Sequence, residues 1–204
     1  QYMWAGIGDT YAKYYEATIS SREERLEHFT ALGVAVSKMC CDPLLEYGPK
    51  AYKDHKKGLC TYDVEQVVLA IIVTTGIASI FLTKDYTPDY NSGLAHAIFY
   101  AMTSYPVIEE RHLHGEVVGF GVLLTLLVDQ QEEEFEKIYR LNRAIGLPAS
   151  LEDIEITQNQ WEECIERIPT MSDVAHYPYR VTKTMLENAM KRLRERVGRD
   201  HEEK

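Results

Sequence analysis

The chain has 204 residues, 45% hydrophobic and 26% charged, the size and make-up of one globular domain with a substantial core. A formal net charge of −10 and a pI near 5.2 exclude the clustered positive charge that nucleic acid or an anionic membrane surface requires. The four cysteines, Cys40, Cys41, Cys60 and Cys164, contain no Cys-x-x-Cys and read as reduced, mostly buried thiols of a cytosolic protein.

Taken in order, the chain alternates helical segments with short polar breaks, and no alternating strand pattern appears. Residues 9–20 predict a first helix opened by Gly8 and Asp9. Ser21, with Glu24 at the capping-box offset, predicts a second that continues toward Met39. Asp42-Pro43 opens a third, which Gly48-Pro49 should interrupt. Thr61 predicts the cap of a long apolar helix whose stretch from 66 to 83 is uncharged. Its internal Gln66, Thr74, Thr75 and Ser79 favour a buried central helix over a membrane span. Residues 85–91 read as a loop.

Beyond that loop, a short helix is expected over 94–102, a break at Pro106, and an apolar helix from His114 to about Val128. An amphipathic helix follows over 131–145, stopped by Gly146. Residues 152–167 have a polar helical period, and 181–197 predict the last helix, with fraying from Gly198. The fold class expected is all-α, a single helical bundle over residues 1–204.

Three short stretches carry chemistry: Gly6-Ile7-Gly8-Asp9, Gly93-Leu94-Ala95-His96 and His114-Gly115-Glu116. They offer one carboxylate and two imidazoles, donors suited to a divalent metal such as zinc, and three protein ligands leave a position open for water or substrate. Each candidate has an ordinary alternative: an Asp before a helix is usually an N-cap, and a His among small residues is usually packed core. Glu16, at Asp9+7, falls on the same helix face and is a candidate to orient a ligand, with a plain structural carboxylate as the alternative. His112, two residues before His114, reads as supporting or exposed; His28, His55, His176 and His201 read as surface residues.

The stretch from Ala5 to Glu16, then Ser92-Gly93-Leu94-Ala95-His96-Ala97-Ile98, then the block from His114 to Gly121, resembles the metal-binding half of glycerol dehydrogenases in order and spacing. These belong to the iron-containing alcohol dehydrogenase and dehydroquinate synthase-like superfamily. The resemblance implies that Asp9, His96 and His114 are the three metal ligands. Lys13 stands where the iron-using branch carries a further histidine, which implies zinc as the metal, with iron as the alternative. Phe99 stands where glycerol dehydrogenases commonly carry a second histidine, which puts glycerol itself in question as the substrate.

Family members also begin with a dinucleotide-binding domain, and this chain contains no Gly-x-Gly-x-x-Gly after a strand-like run. It opens at Gln1, almost on the first family block, and reads as the C-terminal half of a longer enzyme, able to bind metal but hardly NAD. The activity implied is NAD- or NADP-dependent oxidation of glycerol or a related small polyol or hydroxy compound in the cytoplasm, by a homo-oligomer. A reductase of small 2-oxo acids is the alternative within the family. A stand-alone, non-catalytic metal-binding module is the alternative outside it. A helical metal-dependent phosphohydrolase would need a His-Asp dipeptide, and the sequence contains none.

Overall fold

The computed structural model describes residues 2–83 and 90–202, and among them there is helix and turn but no strand. Eleven α-helices are described: α1 Tyr2–Ser20, α2 His28–Ser37, α3 Asp42–Lys56, α4 Tyr62–Leu69, α5 Thr75–Leu82, α6 Leu94–Met102, α7 Pro106–Arg111, α8 His114–Val128, α9 Glu132–Ile145, α10 Gln158–Arg167 and α11 Lys183–Glu202. The expected all-α bundle is what the chain forms. The loop expected over 85–91 falls mostly outside the described residues.

α8 is the axis of the bundle. Every residue from Gly115 to Val128 is buried, so the helix is apolar on all sides, as a central helix must be. α1, α6, α9 and α11 pack around it. The α1–α8 crossing is closed by glycine on both sides. A Cβ on Gly8 would lie 2.1 Å from the Gly115 carbonyl oxygen, and one on Gly115 would lie 2.2 Å from the Ala5 carbonyl oxygen. The α6–α8 crossing repeats the device, since a Cβ on Gly121 would lie 2.7 Å from the Ala95 oxygen. Backbone therefore meets backbone at both crossings, which only glycine permits.

Several local expectations fail for identifiable reasons. α1 begins seven residues earlier than expected, at Tyr2, because Gly6 and Gly8 serve packing inside a helix and do not start one. Ser21 caps nothing: Glu23 adopts φ +67°, ending the path of α1, and Arg22 pairs bidentately with Asp129 at the end of α8. α2 accordingly waits until His28. α3 runs unbroken through Gly48 and Pro49, its buried Leu44, Gly48 and Ala51 outweighing a local breaker. Thr61 does occupy the N-cap of α4, but its hydroxyl bonds the Asp54 carboxylate (2.9 Å) and not a backbone N–H. Pro106 opens α7. Residues 152–167 divide into a 3-10 turn and α10, separated by Glu155 at φ +56°. α11 continues past Gly198 to Glu202.

The largest departure is the long apolar helix. α4 and α5 are joined by a π-helical stretch, Ala70–Thr74, into one run from Tyr62 to Leu82. It is not buried. Only 22% of its apolar window is covered, and Ile72 (67%) and Ile80 (74%) stand in the open. Val64, Val67, Ala70, Ala78 and Leu82 form its inward face, while Leu69, Val73 and Ile77 are also exposed. By length and composition alone this run could cross a membrane, as a single helix in many soluble proteins also could.

The thiols sit as expected: all four are free, with Cys40, Cys41 and Cys164 buried and Cys60 exposed. Burial pushes the Cys40 thiol up to about 11 and the Cys41 thiol up to about 12, leaving both protonated and inert at neutral pH.

Candidate metal centre

Three helices deliver one side chain each to a single point. Asp9 comes from the middle of α1, His96 from the first turn of α6, and His114 from the first residue of α8. Their candidate donor atoms all lie within 4.8 Å of one another. The two glycine crossings account for this convergence. Gly8 and Gly115, each adjacent to a candidate ligand, bring Asp9 against the start of α8; Gly121 against Ala95 seats His96 beside the same helix. Asp9 is therefore no N-cap; it sits within a helix with its side chain committed elsewhere.

The spacing is informative. Asp9 Oδ1 is 3.4 Å from His96 Nε2 and 3.4 Å from His114 Nε2. Both separations are within ion-pair reach, yet neither makes a hydrogen bond, and this buried oxygen has no hydrogen-bond partner. Donors bound at about 2.0–2.1 Å to a tetrahedral ion stand about 3.3–3.4 Å apart. An orphaned carboxylate oxygen at that distance from two imidazole nitrogens fits an ion between them, and the donor set suits zinc.

Charge is arranged to match. Burial works to raise the Asp9 carboxyl, but the His114 and His96 imidazoles overcome it and hold the group far below the usual carboxylate range. Burial works to lower His96, but the Glu16 and Asp9 carboxylates prevail and push it up to about 10.

Glu16 is the functional residue that the sequence only suggested. It is fully buried, and its carboxylate accepts both the His96 backbone N–H (3.0 Å) and the His96 Nδ1–H (2.6 Å). A carboxylate in that position accepts the Nδ1 proton and turns the Nε2 edge of the ring toward Asp9. Tyr177 steadies the same helix start, its hydroxyl accepting the Leu94 N–H at 3.0 Å.

His112 is neither exposed nor in contact with the trio. Its side chain is 8% exposed and its Nδ1 bonds Glu116 Oε1 at 2.8 Å, while Glu116 Oε2 accepts the Leu113 N–H at 3.1 Å and caps α8. Among the other histidines, His28 and His55 are exposed as expected, and His176 is half-buried against Tyr90. The side chain of His201 lies outside the described residues. The Phe99 ring packs edge-on against His114, with centroids 4.4 Å apart, and forms an apolar wall on one side of the centre.

No family model matches the chain. Relatives do. A glycerol dehydrogenase of Escherichia coli O6:H1 is 30% identical over 163 residues, covering 76% of this chain and 41% of the relative. Hydroxycarboxylate dehydrogenase A of Escherichia coli K12 is 28% identical over 198 residues, covering 95% of this chain and 53% of the relative. A solved structure of a probable glycerol dehydrogenase from Sinorhizobium meliloti 1021 superposes with a TM-score of 0.77 at 26% identity, over 94% of this chain and 54% of that one. The chain thus spans about half the length of the proteins it matches. By sequence and by fold together, it is a glycerol dehydrogenase-like C-terminal domain, all-helical and of the dehydroquinate synthase-like fold.

Proposed function

We propose that Asp9, His96 and His114 hold a divalent metal, zinc before iron, and that the chain is the metal-binding half of an NAD(P)-dependent alcohol dehydrogenase. The observation that carries this reading is Asp9 Oδ1, buried, unpartnered and 3.4 Å from each imidazole nitrogen. The dinucleotide-binding domain is supplied by sequence outside residues 1–204, and the substrate is glycerol or a related small polyol or hydroxy compound. We read the assembly as a cytoplasmic homo-oligomer that engages neither nucleic acid nor membrane.

In such a reaction an oxidised nicotinamide, held by the domain outside these residues, would supply the acceptor for the hydride of the carbinol carbon, and the hydroxyl proton would pass to solvent. A divalent cation supplies stabilisation of the alcohol oxygen as that proton leaves. The chain's own residues do the positioning. Asp9 contributes the anionic oxygen, and Glu16 keeps His96 in the tautomer that presents Nε2. Phe99 packs edge-on against the His114 ring and steadies it, while the His114 side chain stays 44% exposed. The hydride chemistry belongs to the nicotinamide, so the chain alone, even metal-loaded, should turn over no alcohol.

Metal content separates the candidate ligands. His114→Ala and Asp9→Ala should each lose near-stoichiometric zinc, whereas His112→Ala should retain it. Equal loss at His112 and His114 would mean that the wrong histidine is assigned.

A further inference from the structure

The run from Tyr62 to Leu82 is held to the bundle along one face only. The Thr75 hydroxyl bonds that of Thr10 on α1 (3.3 Å), and Ala78 and Leu82 cluster with Ala17 and Cys40. Its other face has no cover among the described residues: Leu69, Ile72, Val73, Ile77 and Ile80 are exposed. Phe29 of α2, also exposed and stacked on Phe81 with centroids 6.1 Å apart, widens the strip. Residues 66–83 carry no charge, so nothing in the strip repels an apolar partner.

Gly76 lies in the middle of this face and serves no contact within the chain. A Cβ there would meet nothing within 4 Å, whereas Gly8, Gly115, Gly119 and Gly121 all stand hard against neighbouring atoms. Glycine weakens a helix relative to alanine, and in return it lets a second backbone approach closely. The two most open side chains of the run flank it evenly, Ile72 four residues before and Ile80 four residues after. In two copies crossed antiparallel at Gly76, Ile72 of each meets Ile80 of the other, the self-complementarity that a two-fold interface requires. A parallel crossing would gather both helix N-termini and both Glu65 carboxylates at one end, whereas the antiparallel one opposes the helix dipoles.

We propose that this face joins two copies of the chain, residues 62–82 packing antiparallel on their counterparts about a two-fold axis at Gly76. It is the contact face of the homo-oligomer read above, on which it rests, and the metal centre has no part in it. Covering Leu69, Ile72, Val73, Ile77, Ile80 and Phe29 removes on the order of 600 Å² per copy from water, the low end for a specific dimer. A lipid surface fits less well, because residues 66–83 offer no lysine or arginine to headgroups and the chain carries a net charge of −10.

Sedimentation equilibrium of the whole chain, from about 1 to 100 μM, should show reversible dimers. Ile80→Asp should weaken them by about 100-fold or more, because symmetry buries the new carboxylate twice, each time against Ile72 of the other copy. Ile80 is exposed in the single copy, so circular dichroism and zinc content should stay native. Unchanged dimers in Ile80→Asp would overturn the face and leave the homo-oligomer standing; a native chain that stays monomeric overturns both. Cross-linking with a copper(II) phenanthroline oxidant reads the register independently, in a Cys60→Ser background where the remaining thiols are buried. Gly76→Cys should form a disulfide between copies. A mixture of Ile72→Cys and Ile80→Cys should also cross-link, while neither does so alone. Self-linking of Ile72→Cys would mean parallel pairing and overturn the arrangement. Flotation of the native chain, but not of Ile80→Asp, with phosphatidylcholine vesicles would give the face to lipid and overturn it as well.

Discussion

α8 and the continuous run from Tyr62 to Leu82 are both long apolar helices, and they end in opposite environments. From Gly115 to Val128, α8 is buried throughout, whereas Tyr62–Leu82 leaves Ile72, Val73, Ile77 and Ile80 exposed. Total hydrophobicity does not separate them; glycine placement does. α8 carries Gly115, Gly119 and Gly121, each against another helix's backbone or the Tyr11 hydroxyl at under 3 Å from where a Cβ would be. The outer run has only Gly76 inside it, with nothing within 4 Å. Backbone-to-backbone contact on two sides lets α8 accept neighbours all round, and those same contacts carry Asp9 and His96 to His114.

The largest effect is expected at the α1–α8 crossing itself. Gly8→Ala forces a methyl group to within 2.1 Å of the Gly115 carbonyl oxygen, and backbone cannot move aside as a flexible side chain can. The expected loss is about 3 kcal/mol or more of stability, read from urea unfolding midpoints, together with loss of metal binding. A variant of native stability would mean that the helices are not in this contact.

A second prediction concerns the electrostatics that the crossing creates. His96 in the metal-free domain lies well above its ordinary value, at about 10, so the stability it contributes is full below its unfolded pKa and is lost as pH rises through about 10. A metal must displace that proton. Zinc binding at pH 8 should therefore release about one proton from the protein, measured by calorimetry in buffers of different ionisation heat. In Glu16→Gln, which removes the chief cause of the upward shift, the release should fall well below one. No proton release from the native chain would show that His96 is already neutral.

The smallest effect is expected on the outer helix. Ile80→Ser should change stability by no more than about 0.5 kcal/mol, because Ile80 is 74% exposed. A loss of 2 kcal/mol in a dilute, monomeric sample would mean that this face is covered within the chain.

Much of this arrangement was legible in the sequence where pattern and packing agree. α6 and α8 begin and end where the residues suggested, and Gly146, at φ +78°, stops α9 as a C-cap glycine does. The failures share one cause, which is that a residue's local meaning depends on what lies across from it. Gly8 read as a helix opening because the α8 backbone that it meets, at Gly115, is more than a hundred residues away. Pro49 read as a break because the burial that carries α3 through it is tertiary. An uncharged run signals apolar character, not which faces are covered, so Tyr62–Leu82 could not be placed from composition. Glu16 was visible only as a spacing from Asp9, since its partner His96 lies eighty residues along the chain. Lys13 registered as a departure from a ligand pattern, and its burial and its bonds to Asn91 emerge only once α1 lies against the segment preceding α6.

The most direct test of the central claim, that three helices converge to present one carboxylate and two imidazoles to a metal, is X-ray absorption at the zinc edge of the zinc-loaded chain. A first shell of nitrogen and oxygen at about 2.0–2.1 Å with the outer-shell scattering of two imidazole rings is expected, lost in Asp9→Ala. Sulfur at about 2.3 Å would place zinc on a cysteine and contradict it, as would a shell without imidazole.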